Sequence, residues 1–152
     1  MMNEPYGWTI FCDDIREEVG GKSSFMGVYK GTMIINDVFP AIVPKFAMSI
    51  NYRIFRGDTR LNDIDLKIFL PGDDDANPSV ATVIPVSEIF AEIDTPTSAE
   101  SSFAQISFSV ILSPMILKEA GKIKVRGTGG AGLLKLGTLK VQGTSSTSKL
   151  EA

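Results

Sequence analysis

The sequence predicts an all-β protein, an antiparallel sandwich of about seven to nine strands in an immunoglobulin-like or similar arrangement. Three observations predict this fold. Apolar and polar residues alternate with period 2 along most of the chain, which places them on opposite faces of strands. Turn signals built on Gly and Pro recur about every ten residues. Helical periodicity is too scarce for the alternating strands and helices of a βαβ protein.

Strand signals follow one another along the whole chain. The longest clean alternation in the first half has Phe46, Met48, Ile50, Tyr52 and Ile54 on one face. Pro71-Gly72 and Ser113-Pro114 end two later strands, because turn residues cannot continue a ladder. The predicted strands cover residues 8–15, 24–29, 32–36, 46–54, 64–70, 79–86, 104–112, 119–127 and 133–141.

One segment, Val86–Ile93, fits a short helix capped by Ser87 and fits a strand equally well. The fold is therefore expected to contain at most one short helix. We expect a single domain over residues 1–143, because 152 residues suffice for one core. Residues 144–152 are expected to form a polar C-terminal tail, since they lack core-forming periodicity.

Composition favours a soluble protein of the cytoplasm. Hydrophobic residues make up 43% of the chain and charged residues 22%, as in ordinary globular domains. The single cysteine, Cys12, cannot form an internal disulfide, and the N-terminus lacks the pattern of a secretory signal. No apolar stretch approaches the roughly 20 residues that span a bilayer, so no membrane partner is expected.

Charge is distributed unevenly. Residues 1–100 contain 8 Lys and Arg against 16 Asp and Glu, whereas residues 101–152 contain 7 against 2. In the final hairpin, Lys122, Lys124 and Arg126 alternate with apolar residues, so we expect them to share an exposed face that Lys135 and Lys140 extend. This face is either a solvated decoration of the last strands or a binding surface for an acidic partner. Nucleic acid is a poor candidate, because the chain is acidic overall and no aromatic residue lies among the lysines.

Two acidic segments are candidate sites. Asp73-Asp74-Asp75 lies in a turn and could supply oxygen ligands to calcium, although three adjacent aspartates cannot all point at one ion. Asp13 and Asp14 are paired carboxylates, but adjacent strand residues face opposite ways and cannot flank one scissile bond. Local pairing of these carboxylates with Arg16 in a turn is the simpler interpretation.

No catalytic constellation is recognisable. The chain contains no histidine, which removes the commonest general base, and Cys12 in an apolar strand is expected to be an inert hydrophobe. The glycines of Gly127-Thr-Gly129-Gly130-Ala-Gly132 have the spacing of a nucleotide-binding loop but lie between two strands. We expect them to form a flexible hairpin connection, and we expect no cofactor.

The order of short motifs resembles a family of small bacterial β-sandwich proteins that have no established function. The resemblance rests on Cys12-Asp13-Asp14, on Gly21-Lys22 followed by a strand with a central Gly27, and on Gly121-Lys-Ile123-Lys-Val125 before the last hairpin. Ile123 stands where the family usually has an aromatic residue. The resemblance implies the sandwich fold and no catalytic residue.

These features favour a non-enzymatic β-sandwich that acts as a protein interaction or assembly module, binding a protein partner or a second copy. The residues expected to carry binding are Lys122, Lys124 and Arg126, together with Asp13, Asp14 and Arg16 in the first turn. The alternative function is a sandwich that binds calcium or a small ligand through Asp73, Asp74 and Asp75.

Overall fold

The computed structural model describes residues 5–55, 63–86, 88, 103–130 and 132–144. Within these residues the chain forms twelve strands. They are β1 (Tyr6–Cys12), β2 (Asp14–Glu18), β3 (Lys22–Met26), β4 (Thr32–Ile35), β5 (Ala41–Val43), β6 (Phe46–Phe55), β7 (Ile64–Phe69), β8 (Val80–Ile84), β9 (Phe103–Leu112), β10 (Met115–Leu117), β11 (Gly121–Gly129) and β12 (Gly132–Gly143). The predicted all-β class is confirmed.

Two sheets carry most of the strands. One has three antiparallel strands in the order β1-β6-β9, and the other has five strands in the order β4-β12-β11-β7-β8. Among the described strands every pair is antiparallel except β12 and β4, which run parallel from the Lys140–Thr32 partners to the Gly143–Ile35 partners. The antiparallel prediction is therefore right for the sandwich as a whole and wrong for this edge.

The core lies between the inner faces of the two sheets. The alternate residues Phe46, Met48, Ile50 and Ile54 of β6 are at most 1% exposed, as predicted. Residues between them are buried as well, with Ala47 at 0% and Ser49 and Asn51 at 6% exposed, so the second face of β6 is covered, contrary to what its alternation predicts. The five-stranded sheet supplies the opposing layer. Its fully buried side chains, each at most 1% exposed, are Ile64, Leu66, Ile68, Ile123, Val125, Leu136, Leu139 and Val141.

Three short strands account for the excess over the predicted seven to nine. The pair β5 and β10 has only three residues a strand, too few for a visible alternation. Strand β2 includes Arg16, which was predicted to lie in a turn, and pairs with β3 as a separate hairpin. Hydrogen bonding, not an apolar pattern, defines the β2–β3 hairpin, because both of its strands are mostly exposed.

A β-bulge in β12 contributes a residue that contacts the three-stranded sheet. The register shifts so that Val125 faces Gly137 whereas Arg126 faces Lys135, which leaves Leu136 without a partner on β11. Leu136 turns into the core, where a Cβ atom on Gly7 would lie 2.6 Å from one of its methyl groups. Glycine at position 7 therefore lets β1 approach β12, and the Thr9 hydroxyl donates to the Leu136 carbonyl oxygen at 2.9 Å.

Candidate functional site

The outer face of the five-stranded sheet carries a cluster of cations. Lys122 and Lys124 are exposed on β11, as predicted from their alternation with Ile123 and Val125. The facing strand extends the cluster, because Lys140 lies directly opposite Lys122 and Lys135 opposite Arg126. On the other side of β11, Lys67 of β7 is also the register partner of Arg126. One row across three strands thus consists of Lys67, Arg126 and Lys135.

These cations line a groove with a volume of about 800 Å³, which we call the basic groove. Its floor contains Lys67, Phe69, Lys122, Lys124, Arg126, Thr128, Leu133 and Lys135. Two loops close the end at which β11 begins, and they contribute Asp73, Asp75 and Glu119. The loops touch each other there, because a Cβ atom on Gly72 would lie only 2.8 Å from Glu119 Oε1.

The cations of the basic groove form no close ion pair with a described carboxylate. This holds for Lys67, Lys122, Lys124, Arg126 and Lys135. Like charges directly opposite each other on paired strands are unfavourable. Arg126 has a lysine directly opposite it on each neighbouring strand, Lys135 on β12 and Lys67 on β7. The stability of the fold alone does not explain these pairs of like charges.

Arg126 differs from the lysines around it. It was predicted to be a solvent-facing cation, but it is half-buried, and its Nη1 donates to the carbonyl oxygens of Val125 and Gly137 at 3.0 and 2.9 Å. Burial lowers the pKa of the Arg126 guanidinium from its usual range. The register shift beside Arg126 brings these carbonyl groups within reach. Arg126 is therefore a structural part of the groove floor as well as a source of charge.

The aspartate turn next to the groove is stabilised internally. Asp73 Oδ2 accepts hydrogen bonds from the backbone N–H groups of Leu70 and Ser79, both at 2.9 Å, and from the Ser79 hydroxyl at 2.5 Å. Asp74 Oδ1 accepts from the Ala76 backbone N–H at 2.9 Å. No cluster of three His, Cys, Asp or Glu side chains suited to a metal occurs in the part of the chain that the structure describes. The carboxylates of Asp73 and Asp74 thus close their own turn, and the calcium alternative stays a prediction.

The first turn holds its acidic residues in the fold. Asp13 Oδ1 accepts a hydrogen bond from the Tyr29 hydroxyl at 2.5 Å, and the Asp13 backbone N–H donates to the Met26 carbonyl at 2.9 Å. Burial, and secondarily the bond to Asp13, raises the pKa of Tyr29 above its usual range. Asp13 therefore fixes the link between β1 and the β2–β3 hairpin.

Asp14 pairs with a cation from another strand end. The predicted partner was Arg16, but the ion pair forms with Lys45, whose Nζ lies 2.6 Å from Asp14 Oδ1. The hydrogen bond from Lys45 is the main reason that the pKa of the Asp14 carboxyl lies below its usual range. Arg16 is exposed on β2, opposite Ser24. Asp13, Asp14 and Arg16 do not line the basic groove, so the predicted binding residues divide between two places on the molecule.

Two further predictions concern the Cys12 thiol and the glycine-rich connection between β11 and β12. Cys12 is fully buried, and burial followed by the nearby Asp13 charge raises the pKa of its thiol, which keeps it protonated at neutral pH. Gly129 and Gly132 are register partners at the end of the β11–β12 hairpin, which confirms the predicted hairpin connection. Gly132 has φ of +90°, a conformation that glycine adopts without strain.

A second polar cluster, on the outer face of the three-stranded sheet, was missed from the sequence. Arg53 Nη1 donates to the Tyr6 hydroxyl at 3.2 Å, and Nη2 donates to Gln105 Oε1 at 2.9 Å. Its guanidinium also lies 5.9 and 5.7 Å from the ring centroids of Tyr6 and Trp8. The alternation of β6 places Arg53 on the outer face, but only the register with β1 and β9 shows which side chains meet it.

Comparison of the chain with protein-family models, with curated proteins and with solved structures found no match. The resemblance to a bacterial β-sandwich family therefore stays a prediction. Among the described residues, no helix is both long and apolar enough to cross a membrane. The predicted helix or strand over 86–93 and the tail 144–152 lie almost entirely outside the described residues.

Proposed function

We propose that the protein is a non-enzymatic interaction or assembly module that binds an acidic segment of a partner protein, or of a second copy, in the basic groove. One observation carries this proposal: five cations from three adjacent strands line one groove, and no described carboxylate pairs with them. Concave surfaces with uncompensated charge attract ligands of the opposite sign and speed their association. A cytoplasmic location fits the single, buried, free cysteine.

The electrostatic repulsion between neighbouring cations of the groove supports a role in binding. Replacing Lys67 or Lys135 by a neutral polar residue would remove repulsion from Arg126 without exposing any apolar group, since both lysines are exposed. A surface that only keeps the chain in solution does not need its cations directly opposite one another. An acidic partner removes this repulsion, so the groove is more stable occupied than empty.

The groove is tested by reversing charge at Lys122 and Lys124, which are exposed, and leaving the hydrogen-bonded Arg126 in place. The probe is fluorescein-labelled hexaglutamate, and the readout is fluorescence anisotropy at low salt and at 0.5 M salt. Exposed pairs contribute about 0.2–1 kcal/mol each, so Lys122→Glu with Lys124→Glu should weaken binding about tenfold. Sedimentation velocity of the same proteins shows whether a second copy is the partner.

The matched control is Lys22→Glu with Lys30→Glu, which makes the same change in net charge at two exposed lysines outside the groove. This control should bind hexaglutamate nearly as the unaltered protein does. Equal loss in both double variants would mean that only net charge matters. Unchanged binding and association in the groove variant would show that the groove is not the site. Tighter binding of an oligothymidylate of equal charge would replace the protein partner by a nucleic acid.

A further inference from the structure

The basic groove is not uniformly charged along its length. Its cations lie along the strands, whereas its acidic residues, Asp73, Asp75 and Glu119, all come from the two loops at the end where β11 begins. In the described part of the chain these carboxylates form no ion pair with the groove lysines. The groove therefore has a basic floor and an acidic end.

The length of the floor sets the length of a ligand. From Gly121 to Thr128 the strand advances seven residues, which corresponds to about 23 Å at about 3.3 Å per residue. An extended peptide of about seven residues spans the same distance. Lys122 and Lys124 are two residues apart on one face, so their spacing of about 6.6 Å equals that of alternate side chains in such a peptide.

We propose, on the basis of the function inferred above, that the groove takes an extended peptide segment with acidic side chains at alternate positions and a cationic group at one end. The acidic side chains lie over Lys122 and Lys124, and the cationic group lies at the end formed by Asp75 and Glu119. A uniformly acidic segment leaves its last carboxylate beside this acidic end, where like charges repel. The acidic end thus selects both the composition of the partner segment and the placement of its charges.

Of the three carboxylates, Asp75 and Glu119 are the ones available to a ligand. Both are exposed, whereas Asp73 accepts three hydrogen bonds that hold its own turn together. Neutralising Asp75 and Glu119 therefore changes the charge of the groove end while the turn is kept. The variant Asp75→Asn with Glu119→Gln is consequently a selective probe.

The experiment compares two blocked heptapeptides of identical composition by anisotropy: Lys-Ala-Glu-Ala-Glu-Ala-Glu, with lysine at the end, and Glu-Ala-Lys-Ala-Glu-Ala-Glu, with lysine at an interior position. In both peptides all four charged side chains lie on one face of the extended chain. One exposed pair accounts for about a two- to fivefold difference, so the end-lysine peptide should bind about two- to fivefold more tightly. In Asp75→Asn with Glu119→Gln this preference should disappear, and uniformly acidic hexaglutamate should bind more tightly. The control, Glu18→Gln with Asp37→Asn, alters two exposed carboxylates elsewhere and should keep the preference.

Different results overturn different inferences. If the two heptapeptides bind equally while Lys122→Glu with Lys124→Glu still weakens binding about tenfold, the groove binds acidic segments without selecting a cationic end. If the preference survives in Asp75→Asn with Glu119→Gln, the acidic end is not its source. If neither heptapeptide nor hexaglutamate binds, the proposed function itself fails.

Discussion

Arg53 and Lys124 occupy equivalent places in the two sheets, each on the outer face of a central strand, yet their surroundings differ. Arg53 lies over two aromatic rings and donates to Tyr6 and Gln105, so its charge is used within the fold. Lys124 is exposed, with Phe69 and Thr138 as register partners and no described carboxylate paired to it. A cation held by its neighbours stabilises its sheet, whereas an uncompensated one is available to a ligand.

The neighbours Leu66 and Lys67 on β7 give the largest expected contrast between stability and surface charge. Leu66 is fully buried beneath the groove, and Lys67 is exposed on its floor. Leu66→Ala should lower the free energy of unfolding by about 2–5 kcal/mol, because it removes core contacts and leaves a cavity. Lys67→Ala should change it by less than about 0.5 kcal/mol. Urea unfolding followed through the fluorescence of Trp8, the only tryptophan, measures both.

A loss below about 1 kcal/mol in Leu66→Ala would mean that the layer under the groove is loosely packed. The groove could not then be treated as a rigid surface, and the spacing argument for the peptide would fail. The value of m should stay unchanged in both variants, because neither changes the surface exposed on unfolding by much.

Substitution of Arg53, on the outer face of the three-stranded sheet, should have an intermediate effect on stability. Arg53→Ala should lower the free energy of unfolding by about 1–3 kcal/mol, because it removes two hydrogen bonds of about 1 kcal/mol each and contacts over two rings. The conservative control Arg53→Lys keeps the charge but loses the planar fork, and should recover only part of this loss. Equal stability of Arg53→Ala and the unaltered protein would contradict the contrast between the two faces.

Strand alternation made much of the fold predictable. Ile64 to Ile68 alternate between buried and exposed residues as period 2 predicts, and the turns at Pro71-Gly72 and Ser113-Pro114 end their strands as expected. In β6 the predicted inner residues are buried, but Ala47, Ser49 and Asn51 on the other face are buried too. The pairing of strands distant in sequence was not predictable, because alternation fixes which face a side chain occupies but not its neighbours. The parallel pairing of β4 with β12 is one such contact that the sequence did not predict.

For the candidate site too, the sequence predicted which side chains are exposed but not which distant strands are neighbours. Alternation identified Lys122 and Lys124 as exposed, and the hairpin connection placed Lys135 and Lys140 across from β11. Lys67 joins the site only because β7 pairs with β11, a contact between residues far apart in sequence. The register shift beside Arg126 comes from one extra residue in β12, and its trace in the sequence is the three-residue spacing of Leu136 and Leu139, which interrupts period 2.

The smallest expected effect is a gain in stability on removing two of the groove lysines. It tests whether these cations stabilise the fold or are kept for binding a ligand. Lys67→Gln with Lys135→Gln removes the like charges on both sides of Arg126. Direct cross-strand pairs contribute about 0.2–1 kcal/mol, so the free energy of unfolding at low salt should rise by up to about 1 kcal/mol. The gain should vanish in 1 M salt, where the screening length is about 3 Å. Lys30→Gln, at an exposed site outside the groove, is the control and should change little at either salt concentration.

A rise in stability together with weaker binding of hexaglutamate would show that the row of cations is kept at the expense of the fold. That combination is expected of a binding site and not of a surface that serves solubility alone. A fall in stability in Lys67→Gln with Lys135→Gln would instead mean that these lysines stabilise the sheet, for example by covering apolar surface with their aliphatic stems. The repulsion across Arg126 would then no longer indicate a ligand, and the difference between the two outer faces would be one of packing rather than of function.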